Sequence, residues 1–189
     1  MTPPEVVVKV GGSLLDQPNL GPRLGAWLDA LPRRRTLLLV GGGKVADEVR
    51  RLDGLHGLGD EAAHWLAVAA MGFNARLLAA VLPQSTVVTT LAACPAAWAA
   101  GRTPLLDPEL WLRADDARPG ALPHSWDVTS DSVAARVAVV TGARELVLLK
   151  SCAIEPGRSL EDLAASGVVD SWFPRAAAGV PVVRVLAFP

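Results

Sequence analysis

Two short aliphatic runs, each closed by consecutive glycines and followed by a helical pattern, constrain the fold of this chain more than any other feature. Glu5-Val-Val-Val-Lys-Val10 is rich in β-branched residues and too short for a buried helix, and Gly11-Gly12-Ser13 ends it abruptly. Leu20, Leu24, Trp27, Leu28 and Leu31 then recur at the spacing of one helix face, until Pro32 and the arginine run at 33–35 stop the pattern. Thr36-Leu-Leu-Leu-Val40 is a second strand pattern, closed by Gly41-Gly42-Gly43-Lys44. Strand, glycine turn and helix therefore occur twice within the first 45 residues. That repetition predicts a three-layer αβα sandwich with a mainly parallel central sheet, and a ligand site beyond the carboxyl ends of its strands.

The rest of the chain continues the alternation. A helix is expected over 45–52, a glycine-spotted hinge over 54–59, and a long Ala- and Leu-rich helix over 60–82. A strand at 85–90, a short helix at 91–100 starting near Pro95, a brief strand at 103–106 and a helical turn over 107–113 follow. The polar loop 114–122 is too short to separate a pair of domains, so residues 1–189 are read as one. Beyond it come a helix to about Thr141, a strand at 145–150, helical segments near 160–165 and 171–178, and a last strand at 182–186.

Composition narrows the function. The net charge of −1 comes with no basic stripe that would track a nucleic-acid backbone. A 51% hydrophobic content and mean hydropathy of +0.33 call for a large core. No signal-like leader is visible and no uninterrupted apolar run approaches bilayer length, so a cytoplasmic protein without membrane contact is expected. Cys94 and Cys152 lack metal or redox spacing and are expected to be packed free thiols.

Among 18 basic residues only Lys9, Lys44 and Lys150 are lysines, and each lies at or just past the end of a strand pattern. A compact ammonium at such a position suits phosphate, although lysine is also commonplace at exposed strand ends. Glycines beside these lysines let backbone N–H groups approach an anion, and the helix that follows adds its positive end. Neither glycine loop has Walker or dinucleotide spacing, which disfavours a dehydrogenase.

The stretch His124-Ser-Trp-Asp-Val-Thr-Ser-Asp-Ser132 reads as a polar loop feeding a helix, with Thr129 or Ser130 as cap and Asp131 in the first turn. Lys-Val-Gly-Gly-Ser after the first strand, Val-Gly-Gly-Gly after the second, and this Thr-Ser-Asp-Ser together resemble the amino acid kinase family, over residues 5 to 150. The resemblance implies transfer of the γ-phosphoryl group of ATP, with Mg2+, to a small molecule. It gives Lys9 the role of stabilising the transferring group and Asp131 that of orienting the lysines. It gives Gly11, Gly12, Ser13, Gly41, Gly42, Gly43 and Ser130 the phosphate- and nucleotide-binding roles.

Within the family, Gly41-Gly-Gly-x-x-Ala-Asp-x-Val-Arg-x-x-Asp53, Ala63-His64 and His124-Ser-Trp126 resemble the kinases of methanofuran biosynthesis. Those convert (5-(aminomethyl)furan-3-yl)methyl phosphate to its diphosphate. The resemblance implies an acceptor site drawing on Asp53 for the amine and on Trp126, His64 and Thr129. The residues alone leave alternatives open: Trp126 as core filler, His64 as a satisfied helix histidine, Asp53 as a partner of Arg50 or Arg51.

One departure matters. Where the family carries Thr-Asp-x-x-Gly-(Val/Ile)-Tyr after its last core strand, this chain has Leu148-Leu-Lys-Ser-Cys-Ala-Ile-Glu-Pro-Gly157, and no lysine follows Lys150. The nucleotide-binding end, 145–189, is shortened or rebuilt, and Lys150 is the candidate for the missing catalytic cation. The competing expectation is a non-catalytic ligand-binding or partner subunit that has lost ATP. The apolar helix over 60–82 has more hydrophobic surface than one sheet face needs, which points to a homodimer.

Overall fold

Among the described residues six strands form one sheet in which every pairing is parallel, in the order β3-β4-β2-β1-β5-β6. They are β1 (Val6–Val10), β2 (Thr36–Val40), β3 (Ser85–Val88), β4 (Thr103–Leu106), β5 (Glu145–Lys150) and β6 (Val182–Ala187). The helices are α1 (Leu20–Asp29), α2 (Gly43–His56), α3 (Asp60–Val81), α4 (Cys94–Ala99), α5 (Glu109–Asp115), α6 (Ser130–Thr141), α7 (Leu160–Ala165) and α8 (Phe173–Ala177). The computed structural model describes residues 2–32 and 34–188; Arg33 of the expected helix stop lies outside the described residues.

Alternation along the strands builds two cores. Val6, Val8 and Val10 of β1, with Leu38, Val40 and Val147, face Leu20 and Leu24 of α1 and Ala75 and Leu78 of α3. Val7, Leu37, Leu39, Leu146 and Leu148 face the opposite way, onto Val68 and Met71 of α3 and the Val133 to Ala138 face of α6. A strand buried on both faces reads as a continuous apolar run, which is why β1, β2 and β5 are so plain in the sequence. The expected three-layer sandwich is the observed one.

Helix ends account for the differences in detail. The helix expected over 45–52 is α2, which runs through Gly54 to His56; the bend is confined to 57–59, where Gly57 and Gly59 have φ of 63° and 81°. The helix expected over 91–100 begins as a 3-10 turn, Leu91–Ala93, because α4 places Pro95 in its first turn. Cys94 is buried but Cys152 is exposed, so only one of the two thiols is packed. By length and composition α3 is apolar enough to span a bilayer. In this fold its Val68, Met71, Ala75 and Leu78 pack on the sheet instead.

Strand β1 leads leftward to β2, whereas its other neighbour, β5, leads rightward to β6. Loops therefore diverge at the carboxyl ends of β1 and β5, leaving a crevice where a ligand can enter. Lys9 and Lys150 stand at those two ends, and both reach the start of α6.

Candidate active site

Lys9, the one polar residue in a run of valines, is only 4% exposed, and its ammonium lies 2.8 Å from Oδ1 of Asp131. Lys150, the last residue of β5, donates to Oδ2 of the same carboxylate at 2.6 Å. Asp131 sits in the first turn of α6 and is 3% exposed. One buried carboxylate thus holds two ammonium groups from adjacent strands. Burial alone would raise the Asp131 carboxyl; the charges of Lys9 and Lys150 and their hydrogen bonds outweigh it and hold it below the usual carboxylate range. Burial, and then the charge of Lys9, bring the Lys150 ammonium below the ordinary lysine range against the opposing pull of Asp131. The cluster carries a net positive charge in a poorly solvated place, so an entering anion meets little competition from water.

The two glycine loops lie against each other beside this cluster. A Cβ on Gly12 would stand 2.2 Å from the backbone nitrogen of Gly43, and one on Gly43 would stand 2.7 Å from the Gly12 carbonyl. Gly41 lies beneath the lysine: a Cβ there would meet Ser130 Oγ at 2.8 Å and Lys9 Cε at 3.3 Å. These glycines are required by the close approach of the loops to each other and to Lys9 and Ser130. Asn74, buried in α3, donates from Nδ2 to the carbonyls of Gly41 and Gly42 at 2.7 and 2.8 Å. Those carbonyls are turned into the protein, and the first-turn N–H groups of α2 are left without a carbonyl inside their helix. Across the crevice, the hydroxyls of Ser13 and Ser151 are 2.8 Å apart, linking the loop after β1 to the loop after β5. Lys44 does not join the cluster; it pairs with Asp16 at 3.1 Å on the surface.

A cleft of about 240 Å³ opens from these loops between α2, α3 and the start of α6. Gly12, Ser13, Gly42, Gly43, Thr129 and Ser130 line its phosphate-like end; Val68, Met71, Val128 and Val133 form its apolar floor. Asp47, Arg50, His64 and Trp126 form its outer wall. Arg50 lies over the Trp126 ring at 4.5 Å. His64 stacks on His124 at 4.1 Å, and burial, then its neighbour His124, lower it to about 4, so it is neutral at pH 7. The lead-in loop is fastened over the cleft: His124 lies between Glu61 and Asp116, and Trp126 donates to Asp53 at 2.8 Å.

The expected site residues are therefore divided between two positions. Lys9, Asp131 and Lys150 form the charged cluster; Gly12, Gly42, Gly43, Ser13, Ser130, Thr129, His64 and Trp126 line the cleft, whereas Gly11 and Gly41 do not. Asp53 stands behind Trp126, holding its indole and the N–H of Gly59, while Arg50 and Arg51 pair with Asp47 and Glu48 instead. Asp47, six residues earlier on α2, is the carboxylate that lines the cleft.

The expected local cap of α6 is absent, since Thr129 is the N-cap residue but makes no side-chain bond to its helix. Asp170 supplies the cap from 41 residues away, accepting from the N–H and hydroxyl of Thr129. Asp170 is the site-supporting residue to which the sequence assigns no role; Asn74, readable from the sequence as either a satisfied core polar or a pocket-facing group, is the former. Asn74 stands out only as a polar residue in an apolar helix, and Asp170 carries no local signal at all.

The model of the amino acid kinase family matches residues 4–153. The chain belongs to the amino acid kinase family. Membership makes it a phosphotransferase by class, and solved structures agree on the fold. Uridylate kinase from Archaeoglobus fulgidus superposes with a TM-score of 0.65 at 17% identity, over 98% of this chain and 92% of that one. UMP kinase from Ureaplasma parvum gives 0.64 at 15% identity, over 96% and 88%. Carbamate kinase from Giardia lamblia, solved with AMP-PNP, gives 0.55 at 12% identity, over 97% and 92%. No match to a curated protein sequence reaches significance.

Proposed function

We propose that this member of the family moves the γ-phosphoryl group of ATP onto a small phosphorylated acceptor held in the cleft, and that the acceptor is (5-(aminomethyl)furan-3-yl)methyl phosphate. The observation that carries the phosphotransferase reading is the Lys9–Asp131–Lys150 cluster beside two glycine loops. Phosphoryl transfer needs alignment and charge neutralisation more than covalent help. An acceptor phosphate oxygen forms the new bond to the γ-phosphorus as the bond to the β-phosphate bridging oxygen breaks, and ADP leaves with that oxygen. Lys9 and Lys150 neutralise the charge that spreads over the transferring group, and Asp131 keeps their nitrogens in place. Among the described residues no group of three or more His, Cys, Asp or Glu side chains stands ready to hold a cation. Mg2+ would therefore be carried chiefly by the nucleotide phosphates, as its preference for phosphate and water oxygens allows.

Support for a flat, cationic acceptor comes from the outer wall. Trp126 and neutral His64 offer ring faces, Arg50 a second anion contact, and Asp47 a carboxylate for an amine. Asp53 would act on the acceptor through Trp126. We further place the whole function in one cytoplasmic domain, 1–189, with an abbreviated nucleotide-binding end. We infer a homodimer from the apolar stripe Leu66, Phe73, Leu77 and Val81 exposed along α3.

One observation favours the second reading, a ligand-binding subunit without catalysis: the family match stops at residue 153, where the expected nucleotide loop is replaced. Calorimetric titration with Mg-ATP, followed by an ADP-release assay with the furan phosphate, decides between them. Micromolar to low-millimolar ATP binding and acceptor-dependent ADP release are expected; no heat at millimolar nucleotide would sink the kinase reading.

A further inference from the structure

We propose that Asp170 is a positioning residue for phosphoryl transfer, clamping the first turn of α6 so that Asp131 meets Lys9 and Lys150 at once. The proposal rests on the phosphotransferase reading for its consequence, though not for its geometry. Oδ2 of Asp170 accepts from the backbone N–H of Thr129 and of Ser132, both at 3.0 Å, and from the Thr129 hydroxyl at 2.8 Å. Oδ1 accepts from the Ser132 hydroxyl at 2.5 Å. These partners bracket Asp131, so the residue that orients the lysines is fixed from both sides by a carboxylate outside its own helix.

The segment that supplies Asp170 is itself anchored. Val169 and Phe173 are buried, and the Trp172 N–H and Ser171 hydroxyl reach the Asp127 carbonyl at 3.3 and 3.4 Å. Four donors occupy the Asp170 oxygens and the residue does not line the cleft, which leaves it no direct part in the chemistry. It lies beyond residues 4–153, so the family match does not include it. Its charge also complements the positive end of α6. With Asp131 and Asp170 both at that end, the start of α2 is the helix terminus left for an anionic ligand.

The test compares Asp170→Ala with Asp170→Asn. An asparagine can present its carbonyl to both backbone donors and the Thr129 hydroxyl, and its amide to Ser132, which keeps the clamp and removes the charge. Asp170→Ala removes the clamp. We expect kcat to fall about 10- to 100-fold in Asp170→Ala, with both KM values within about twofold of wild type, and to stay within about threefold in Asp170→Asn. An Asp170→Ala protein that melts earlier yet turns over as wild type would reduce Asp170 to a structural cap and overturn the proposal. Asp170→Ser replaces the alanine variant if that protein does not fold.

A second readout needs no substrate. The chain has three lysines, so side-chain lysine NMR resolves each ammonium. Lys9 and Lys150 should differ sharply from exposed Lys44 in wild type and in Asp170→Asn, and move toward Lys44 in Asp170→Ala. Unchanged Lys9 and Lys150 signals in Asp170→Ala would overturn the clamp even if the wild-type protein phosphorylated nothing. Shifted signals in an inactive wild-type protein would instead uphold the clamp and sink the kinase reading alone.

Discussion

Lys150 reaches Oδ2 of Asp131 at 2.6 Å while Lys9 holds Oδ1 at 2.8 Å, so a lysine on the last residue of β5 completes a three-charge cluster that begins on β1. Because Lys150 occupies the place where the sequence departs from its family, its contribution to turnover is the most direct test of the rebuilt site. Lys150→Ala should lower kcat about 10²- to 10³-fold, the usual loss for one charge-stabilising donor, and Lys150→Arg should restore part of it. Steady-state kinetics on the two variants check this.

The same lysine gives a pH dependence of definite sign. Its folded pKa lies below the ordinary lysine value of 10.5. Activity should therefore decline on an alkaline limb that lies below the ordinary lysine range, and Lys150→Arg should lose that limb. For stability, the unfolded chain binds the extra proton between the folded pKa and 10.5, so Lys150 makes the protein more stable as pH rises through that window. Asp131 acts at the other end: its folded pKa lies below 3.8, and its contribution is present above that value and lost as pH falls through the folded pKa. Denaturation curves of wild type and Lys150→Met at several pH values check both signs.

Gly12 and Gly43 make a prediction about the loops. A Cβ on Gly12 meets backbone, 2.2 Å from Gly43 N and 2.6 Å from Gly43 Cα, so neither loop can yield by turning a side chain. Gly12→Ala should separate the loops, lower stability by about 1–3 kcal/mol and raise the KM for the phosphate-bearing substrate. Gly54→Ala is the control, since a Cβ there meets nothing within 4 Å. It should leave turnover alone and stabilise α2 by up to about 1 kcal/mol.

Asn74 sets the direction of the glycine-loop carbonyls, and its chemistry makes the prediction specific. Asn74→Ala takes the side-chain donor from the Gly41 carbonyl, while the Gly42 carbonyl keeps the Ala46 N–H, at a cost of about 1–3 kcal/mol, and should weaken phosphate binding. Asn74→Asp is nearly the same shape but turns acceptors toward acceptors and should be worse than alanine. Thermal melts and isothermal titration with the acceptor check the order wild type, then Ala, then Asp.

How far all this was legible in the sequence follows from how local each determinant is. The strands were plain because β1, β2 and β5 are buried on both faces, and the lysines and glycines stood out because they interrupt such runs. Asp131 was legible as a first-turn carboxylate, yet the partnership with Lys150 depends on β5 lying beside β1, which no local pattern states. The spacing of Asp53 allows a ligand role, but α2 presents Asp47, six residues earlier, to the cleft and Asp53 to Trp126. Asp170 was invisible because a cap normally sits at the residue it caps, and here 41 residues separate them.

The stripe Leu66, Phe73, Leu77 and Val81 repeats at helical spacing along one exposed side of α3, with Phe73 56% and Leu77 42% exposed. The opposite side carries Val68, Met71 and Leu78 into the core, so α3 is apolar on two faces where a lone domain needs one. A second copy of this chain related by a twofold axis would cover the stripe with itself. Analytical ultracentrifugation should then find a dimer, and Phe73→Glu with Leu77→Lys should convert it to a monomer without altering the fold. A wild-type protein that sediments as a monomer at micromolar concentration would overturn the homodimer. Since Asn74 lies between Phe73 and Ala75 on the same helix, the monomer should also bind acceptor more weakly if the partner helps to hold α3 against the glycine loop.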